Sequence, residues 1–229
     1  MENIVIGIEG LVGSGKTSIC RALLNKIPNS ILLHGGDIYR GIMYAFINKY
    51  NKEDFSEFKN IDIVKMMNNL NVKVELEDRQ TVVYVNEEKI DEEKLQSKKT
   101  SMAVSVVSNI ANNNEFFLFA RNIINEFKEK YNVIVSGRSL MEIYPSLDYH
   151  IFITASLEER VKRKASQYNE YGNLNELKKH IEKRDNLQEK SGFYKIYPNT
   201  ITIDVTECKT IEESTNKVCE YIEETKILN

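Results

Sequence analysis

The sequence of 229 residues has little of what marks secreted, membrane or metal-binding proteins. Its three cysteines are Cys20, Cys208 and Cys219, and their spacing suits neither a metal site nor a disulfide framework. No apolar stretch is long enough to cross a bilayer, and no charged segment followed by an apolar one opens the chain as a secretory signal would. We therefore expect a protein of the reducing cytoplasm that has no membrane partner.

The chain also lacks a strong excess of charge of either sign. Its formal net charge is −3, with 28% charged and 41% hydrophobic residues. This composition is that of an ordinary globular protein, and the length suits one sizeable core with room for a mobile subdomain. Because general nucleic-acid binding needs a strongly basic surface, we expect no nucleic-acid partner, and any basic site must be local.

A glycine-rich loop near the N-terminus is the most informative part of the sequence. An apolar run at 4–9 predicts a buried strand, the pattern G-x-x-x-x-G-K-T begins at Gly10, and residues 18–26 predict a helix. Strand, loop and helix in this order are typical of a P-loop, which binds nucleotide phosphates.

The chemistry of such a loop assigns a role to each part of it. Glycines allow a tight turn in which several backbone N–H groups point at phosphate oxygens, and the following helix N-terminus adds positive potential. The Lys16 ammonium can reach the outer phosphates, and the Thr17 hydroxyl can hold Mg²⁺. The residues expected to bind the nucleotide phosphates are Gly10, Gly13, Ser14, Gly15, Lys16, Thr17 and Ser18.

Short apolar segments alternate with helical segments along the chain. Further strands are expected at 31–33, 133–135, 150–153 and 201–203, and helices at 38–49, 99–111 and 115–130. This alternation predicts an α/β fold whose central parallel sheet is covered by helices on both faces. Residues 72–98 instead alternate apolar and polar side chains on either side of a turn, which predicts a small, half-exposed antiparallel insert.

The segment from 156 to 191 is rich in charge and poor in large apolar residues. It contains two basic helical stretches, at 158–164 and 178–185, joined by a polar link. A run of charge is usually a solvated helix face. Two basic helices beside a P-loop are also typical of a closing lid, whose arginines neutralise the phosphoryl group in transit and exclude water.

Two polar residues follow the second strand, at the edge of the sheet where α/β proteins bind ligands. Arg40 lies in the first turn of the next helix and can face a bound anion there, although the sequence alone favours a solvated surface arginine. Asp37 suits the N-cap of the same helix, a position that is compatible with a role in substrate binding.

Taken together, these segments resemble the bacterial cytidylate kinase family of nucleoside monophosphate kinases over nearly the whole chain. The motifs that carry the resemblance are the P-loop, the β insert, Gly36-Asp37-Ile38-Tyr39-Arg40, Ser136-Gly137-Arg138, residues 156–163 and Glu182-Lys183-Arg184-Asp185. The β insert is fairly specific, because most other monophosphate kinases lack it. The resemblance implies a three-layer P-loop fold with a core of about 1–35, 131–155 and 200–229, an acceptor-binding subdomain of about 36–130 and a helical lid of about 156–191.

The resemblance also implies roles for particular side chains. Lys16 would hold the donor phosphates, Arg163 would lie on the ATP side, and Arg184 would swing in from the lid. The catalytic residues implied are Lys16, Arg138 and Arg184, and the acceptor-binding residues implied are Asp37, Arg40, Ser108 and Arg138. ATP and Mg²⁺ are the implied cofactors of a monomeric chain that takes a small nucleotide acceptor.

The chain departs from the family pattern where the family reads the base and the sugar. The departures are Ser136 and Ser139 in place of aspartates, Phe117 in place of an arginine, Gln188 and Ser191 near a lid aspartate and arginine, and Gly35 in place of a serine. Loss of charged readers removes paired hydrogen bonds to one base, so we expect weak or redirected discrimination between cytosine and uracil. Restoring the pair by Phe117→Arg with Ser139→Asp is expected to sharpen the preference for cytosine.

The carboxylate missing at Ser136 leaves Glu9, at the end of the first strand, as a candidate metal residue beside Thr17. A strand-end glutamate paired with a lysine is an equal alternative. Three functions stay open: a CMP or dCMP kinase, a related kinase with a different small acceptor, and a nucleotide-binding protein without turnover. The retained lid arginines argue against the last, since a binding module has no need of them.

Overall fold

The computed structural model describes residues 2–50, 69–97, 100, 114–168 and 173–228. Its strands are β1 (Val5–Gly10), β2 (Ser30–His34), β3 (Val72–Glu77), β4 (Gln80–Val85), β5 (Glu88–Lys89), β6 (Asn132–Ser136), β7 (Tyr149–Thr154) and β8 (Thr200–Asp204). Its helices are α1 (Lys16–Leu23), α2 (Gly35–Tyr50), α3 (Glu92–Gln96), α4 (Asn114–Lys128), α5 (Leu140–Ile143), α6 (Leu157–Tyr168), α7 (Leu174–Lys190) and α8 (Ile211–Leu228). The helix expected at 99–111, which carries Ser108, lies outside the described residues except for Thr100.

Within the described residues, eight strands form one sheet in the order β3-β4-β2-β6-β1-β7-β8, with β5 paired to β4. Five neighbouring strands of this sheet, β2, β6, β1, β7 and β8, pair in parallel. β1 lies in the middle, where Ile6 is aligned with Ile134 of β6 and Tyr149 of β7. All six residues of β1 are buried, as expected of a strand covered on both faces. The predicted α/β fold with a central parallel sheet is confirmed.

Two apolar clusters cover the two faces of the sheet and make the fold three-layered. On one face, α1 and α8 contribute Ile19 and Val218 to a cluster with β1 and β7. On the other face, α2, α4 and α5 contribute Ile42, Ile124 and Leu140. None of the helices in the described ranges is both long and apolar enough to cross a membrane.

The antiparallel insert is present, and it continues the central sheet instead of standing apart from it. β3 and β4 pair antiparallel, and β4 also pairs in parallel with β2 through Gln80 and Leu32. Val83 of β4 is buried against α2, where a Cβ at Gly41 would lie 2.8 Å from it. The close packing of β4 on α2 therefore holds the insert next to the helix that carries Arg40.

Two helices begin earlier than the sequence predicts. α1 begins at Lys16, two residues before the predicted start, because Gly15 has a left-handed φ of 92° and lets the loop turn directly into the helix. α2 begins at Gly35, immediately after β2. A Cβ at Gly35 would lie 3.3 Å from the Ser136 carbonyl oxygen, so a small residue suits this close approach of α2 to β6.

The charged hairpin of α6 and α7 has an apolar core of its own. Val161 and Ala165 of α6 pack with Leu177 and Ile181 of α7, and all four are buried. The fifth member of this cluster is Val12 of the glycine-rich loop. The hairpin is therefore packed directly on the P-loop, and its movement as a lid stays a prediction.

Candidate active site

The glycine-rich loop has the geometry of a phosphate cradle. Gly10 has a positive φ, and a Cβ there would overlap the Ile153 carbonyl oxygen, so the position requires glycine. Gly15 precedes α1 without any side-chain cap, which leaves the first N–H groups of that helix for a ligand. The Ser14 hydroxyl is buried and finds no hydrogen-bond partner in the described part of the chain. These groups suit phosphate oxygens.

A cleft of about 580 Å³ opens beside this loop, and its lining is strongly basic. Two acidic side chains, Glu92 and Glu159, line it. The nine basic residues that line it are Lys16, Arg21, Arg40, Arg138, Lys162, Arg163, Lys164, Arg184 and Lys209. A protein with a net charge of −3 thus concentrates positive charge in one cleft, as binding of a polyanion requires.

Lys16 lies at the centre of the charged residues. Its Nζ donates to the Ser136 hydroxyl over 3.1 Å. Burial, and then the nearby Arg138 guanidinium, lower the pKa of Lys16 from 10.5 to about 7, with a smaller contribution from Arg40. The positive charge of Lys16 is therefore poorly compensated by the protein alone, and an anion beside it would restore that charge.

Arg40 is paired and partly buried in the cleft. Its Nη1 lies 2.5 Å from Asp37 Oδ1, and its side chain is 23% exposed. The interpretation of Arg40 as a solvated surface arginine is therefore wrong. Asp37 is the third residue of α2, so the N-cap interpretation is also wrong. A second basic group, His34 Nδ1, lies 4.0 Å from Asp37 Oδ2, and burial lowers the pKa of His34.

Arg138 reaches the cleft from the loop after β6 and has neutral partners. Its Nε donates to Gln188 Oε1 over 2.9 Å, and its Nη1 donates to the Gly137 carbonyl oxygen over 2.9 Å. The guanidinium carbon lies 5.6 Å from the centre of the Tyr194 ring. Gln188 belongs to α7, so the hairpin and the loop after β6 meet at this arginine.

Arg163 of α6 supports the P-loop from the other side of the cleft. Its Nη1 donates to the Ser14 carbonyl oxygen over 3.0 Å and its Nη2 to the Val205 carbonyl oxygen over 2.8 Å. Its Nε pairs with Glu159 over 3.0 Å. Arg163 thus links the phosphate cradle to the loop after β8, and its direct contact with ATP stays a prediction.

Arg184 lies on α7, in the hairpin predicted to be a lid, and is 8% exposed. Burial, and then the charges of Arg184 and Arg40, lower the pKa of Lys164 of α6 to about 8, so both arginines act on this lysine. α2, α6 and α7 all contribute basic side chains to the lining of the cleft, among them Arg40, Lys164 and Arg184. Neighbouring like charges favour a bound anion.

The ionisable neighbour of Glu9 is a histidine, whereas the sequence left a lysine as an alternative. Its Oε1 accepts from the Leu140 backbone N–H over 2.6 Å and lies 3.3 Å from His150 Nε2, and the residue is 2% exposed. The lysine pairing considered above is wrong, because the buried neighbour is a histidine. In the described residues, no group of three or more His, Cys, Asp or Glu side chains is arranged to hold a metal ion. The roles of Glu9 and Thr17 toward Mg²⁺ stay predictions.

Phe117 and Ser139 replace the two charged residues with which the family is expected to read the base, and their surroundings differ. Phe117 of α4 is buried in the apolar cluster between α2 and the sheet. Ser139 is also buried and has a left-handed φ of 53° just before α5. Ser108 lies outside the described residues. The phenylalanine is thus a core residue.

Sequence reasoning missed a set of hydrogen bonds between the hairpin and the P-loop. Asp185 of α7 accepts from the Val12 backbone N–H over 3.2 Å and pairs with Arg160 of α6. The Arg160 Nη1 also donates to the Val12 carbonyl oxygen over 3.1 Å. Both side chains belong to the charged motifs noted in the sequence, but their charge pattern does not distinguish a buried ion pair from a solvated face.

Comparisons with known proteins agree over almost the whole chain. A profile of the family described as cytidylate kinase matches residues 6–224. The chain is 31% identical over 228 residues to the cytidylate kinase of Aquifex aeolicus and 29% identical over 226 residues to that of Caldicellulosiruptor bescii, with 96% of each chain covered in both cases. It is also 30% identical over 224 residues to the bifunctional pantoate ligase/cytidylate kinase of Prochlorococcus marinus, of which it spans only 42%.

Proposed function

The chain belongs to the cytidylate kinase family, and we propose that it transfers the γ-phosphoryl group of ATP to CMP or dCMP. The observation that carries the proposal is the cleft in which the P-loop lysine, Lys16, shares one basic lining with Arg40 and Arg138. Donor and acceptor phosphates must approach each other during transfer, so cations from both sides must converge on one place.

On the donor side, the residues of the loop fit the phosphates of ATP. The uncapped N-terminus of α1 and the buried Ser14 hydroxyl offer donors, and Lys16 offers a cation. Thr17 is the residue that would hold Mg²⁺, which supplies further neutralisation of the phosphate charge when it is bound. Arg163 keeps the loop in shape through the Ser14 carbonyl oxygen.

On the acceptor side, Arg138 and Arg40 hold the phosphate of the nucleoside monophosphate. A guanidinium presents two parallel N–H groups and therefore suits a phosphate better than a lysine does. Arg184 adds positive charge from α7 above the point of transfer, and the hairpin keeps water away from it. These residues position the two substrates and stabilise the charge that moves between them, which is most of what phosphoryl transfer needs.

The charge state of Lys16 adds to this proposal. With a pKa of about 7 in the protein alone, the amine is partly neutral near pH 7. Donor phosphates beside it raise its pKa again, so the cation is complete when the nucleotide is bound. Lys16 then stabilises the transferred group and keeps its own proton throughout the transfer.

The altered base-reading positions favour a second candidate, a kinase of this family with another small acceptor. Phe117 has no charged group to offer to a base, and its side chain is buried in the core.

A coupled assay of ADP release over a panel of nucleoside monophosphates and small hydroxyl metabolites decides between the two candidates. We expect turnover with CMP or dCMP, and a weaker preference over UMP or dUMP than charged readers would give. Turnover with an unrelated metabolite and none with any monophosphate would favour the second candidate.

The division into core, acceptor-binding subdomain and lid, with the boundaries given above, is part of the proposal. So are a cytoplasmic location and a monomeric state. Gel filtration with light scattering tests the last: a mass near 26.6 kDa is expected, and a doubled mass would contradict it.

A further inference from the structure

A chain of hydrogen bonds connects the P-loop to Arg138 through the segment that follows α7. The Val12 backbone N–H donates to Asp185 Oδ1 over 3.2 Å. The Tyr194 hydroxyl lies 2.7 Å from the same Asp185 oxygen and 2.9 Å from Gln188 Oε1. Gln188 Oε1 in turn accepts from Arg138 Nε over 2.9 Å. Since Tyr194 has one proton, the two oxygens share it.

The members of this chain are held rigidly. Asp185 is fixed by its ion pair with Arg160, which is anchored on the Ala155 and Val12 carbonyl oxygens. The Tyr194 ring packs edge-on against Phe152 of β7, with ring centres 5.8 Å apart. Burial raises the pKa of Tyr194 well above its usual range, so the hydroxyl keeps its proton.

Arg138 differs from its neighbours in the charge of its partners. Three other arginines of this region each meet a carboxylate: Arg40 meets Asp37, Arg160 meets Asp185, and Arg163 meets Glu159. Arg138 meets an amide oxygen, a backbone carbonyl and an aromatic ring. In the described part of the chain, its Nη2 makes no hydrogen bond. Its positive charge is therefore held in place but not neutralised.

We propose that Gln188 and Tyr194 are positioning residues for the acceptor phosphate: they hold the Arg138 guanidinium by neutral contacts and leave its charge and its outer N–H groups for that phosphate. The inference rests on the proposed function, because it requires an acceptor that carries a phosphate. Asp185 provides the anchor, since it fixes Tyr194 relative to the P-loop. The aromatic face adds a cation–π contact that restricts the guanidinium without competing with an anion.

Two variants remove the positioning contacts and leave Arg138 in place. Tyr194→Phe keeps the ring over the guanidinium and deletes the hydroxyl, and Gln188→Met keeps the length of the side chain and deletes the acceptor oxygen. The matched control is Tyr84→Phe, because the Tyr84 hydroxyl also meets a carboxylate, Glu77, over 2.8 Å but lies in the β insert. All three variants are purified as the full chain and checked for an unchanged thermal midpoint.

Steady-state kinetics with CMP and ATP give the first measurement. We expect each of the two variants to raise the KM for CMP by about 3- to 10-fold, the factor for one hydrogen bond, with the KM for ATP unchanged. The double variant should raise it by less than the product of the two, because both act on one guanidinium. The Tyr84→Phe control should leave both constants unchanged. An unchanged KM for CMP, or equal changes in both KM values, would overturn the proposal.

A second measurement does not depend on turnover. In a protein labelled with ¹⁵N-arginine, the Arg138 Nε–H resonance is assigned by its loss in Arg138→Lys and is followed during titration with inorganic phosphate. We expect this proton to exchange with water about tenfold faster, or more, in Gln188→Met than in the parent. Equal exchange in the two proteins would refute the positioning role. If the parent shows no turnover with CMP or dCMP, the proposed function fails, whereas this measurement still decides whether Gln188 holds the Arg138 guanidinium in place.

Discussion

Replacing Lys16 by methionine removes the cation of the P-loop and keeps an unbranched side chain of similar length. The charge stabilisation that is lost is worth about 10²–10³-fold in rate. The structure adds a second consequence, because Lys16 has a pKa of about 7 in the protein alone through burial and the neighbouring Arg138. The lysine must therefore take up a proton when donor phosphates bind.

The size of this uptake follows from the pKa. At pH 7.5 a group with a pKa of about 7 is mostly neutral, so binding an ATP analogue should draw most of a proton onto Lys16. Lys164, with a pKa of about 8, should add a smaller uptake. The apparent affinity for the nucleotide should consequently fall as the pH rises above 7, since more of the free protein must first be protonated.

Titration calorimetry in two buffers with different enthalpies of ionisation measures the uptake directly. The parent and Lys16→Met are compared with the same non-hydrolysable ATP analogue, so any proton change of the nucleotide itself cancels. The variant should lose most of the uptake along with its turnover. Equal proton uptake by both proteins at pH 7.5 would refute the reasoning about Lys16, and turnover within a few-fold of the parent would refute the P-loop assignment.

The same pKa shift predicts how stability depends on pH. The pKa of Lys16 is about 7 in the folded protein and 10.5 in the unfolded chain, so between these values the unfolded state binds more protons. The free energy of unfolding of the protein alone should therefore rise with pH across this window. Urea unfolding of Lys16→Met should show a shallower rise, and a slope identical to that of the parent would contradict the shift.

Two further predictions concern the hairpin and the base-reading positions. Hydrogen exchange in α6 and α7 should slow when a bisubstrate analogue binds, because the apolar core around Ile181 is small and local opening exposes it; unchanged exchange with the analogue bound would rule out closure. Phe117→Arg alone should lower the free energy of unfolding by about 3 kcal/mol, because it places a guanidinium in an apolar cluster. Phe117→Arg with Ser139→Asp remains the test of base preference, and it is informative only if urea unfolding shows a folded double variant.

The sequence by itself determined the fold class and the location of the phosphate site. The strand, the glycine pattern and Lys16 are contiguous, so their chemistry is visible without knowledge of distant contacts. The alternation of apolar strands and helices predicted the parallel sheet, and the change to period two predicted the antiparallel insert. The predicted positions of these elements are confirmed within the described residues, apart from helix ends such as those of α1 and α2 and from Glu92–Gln96, which form the helix α3 inside the range predicted for the antiparallel insert.

The tertiary structure decided which charged side chains are buried and what they meet. The sequence alone favours a surface position for Arg40, whereas the structure pairs it with Asp37. The sequence also leaves a lysine as a partner of Glu9, whereas the structure places His150 and the Leu140 N–H beside it. The contact of Arg138 with Gln188 joins residues 50 positions apart. The partners of these charged side chains could not be predicted from the sequence, because burial and long-range neighbours set the energy of a charge. A local sequence pattern contains neither.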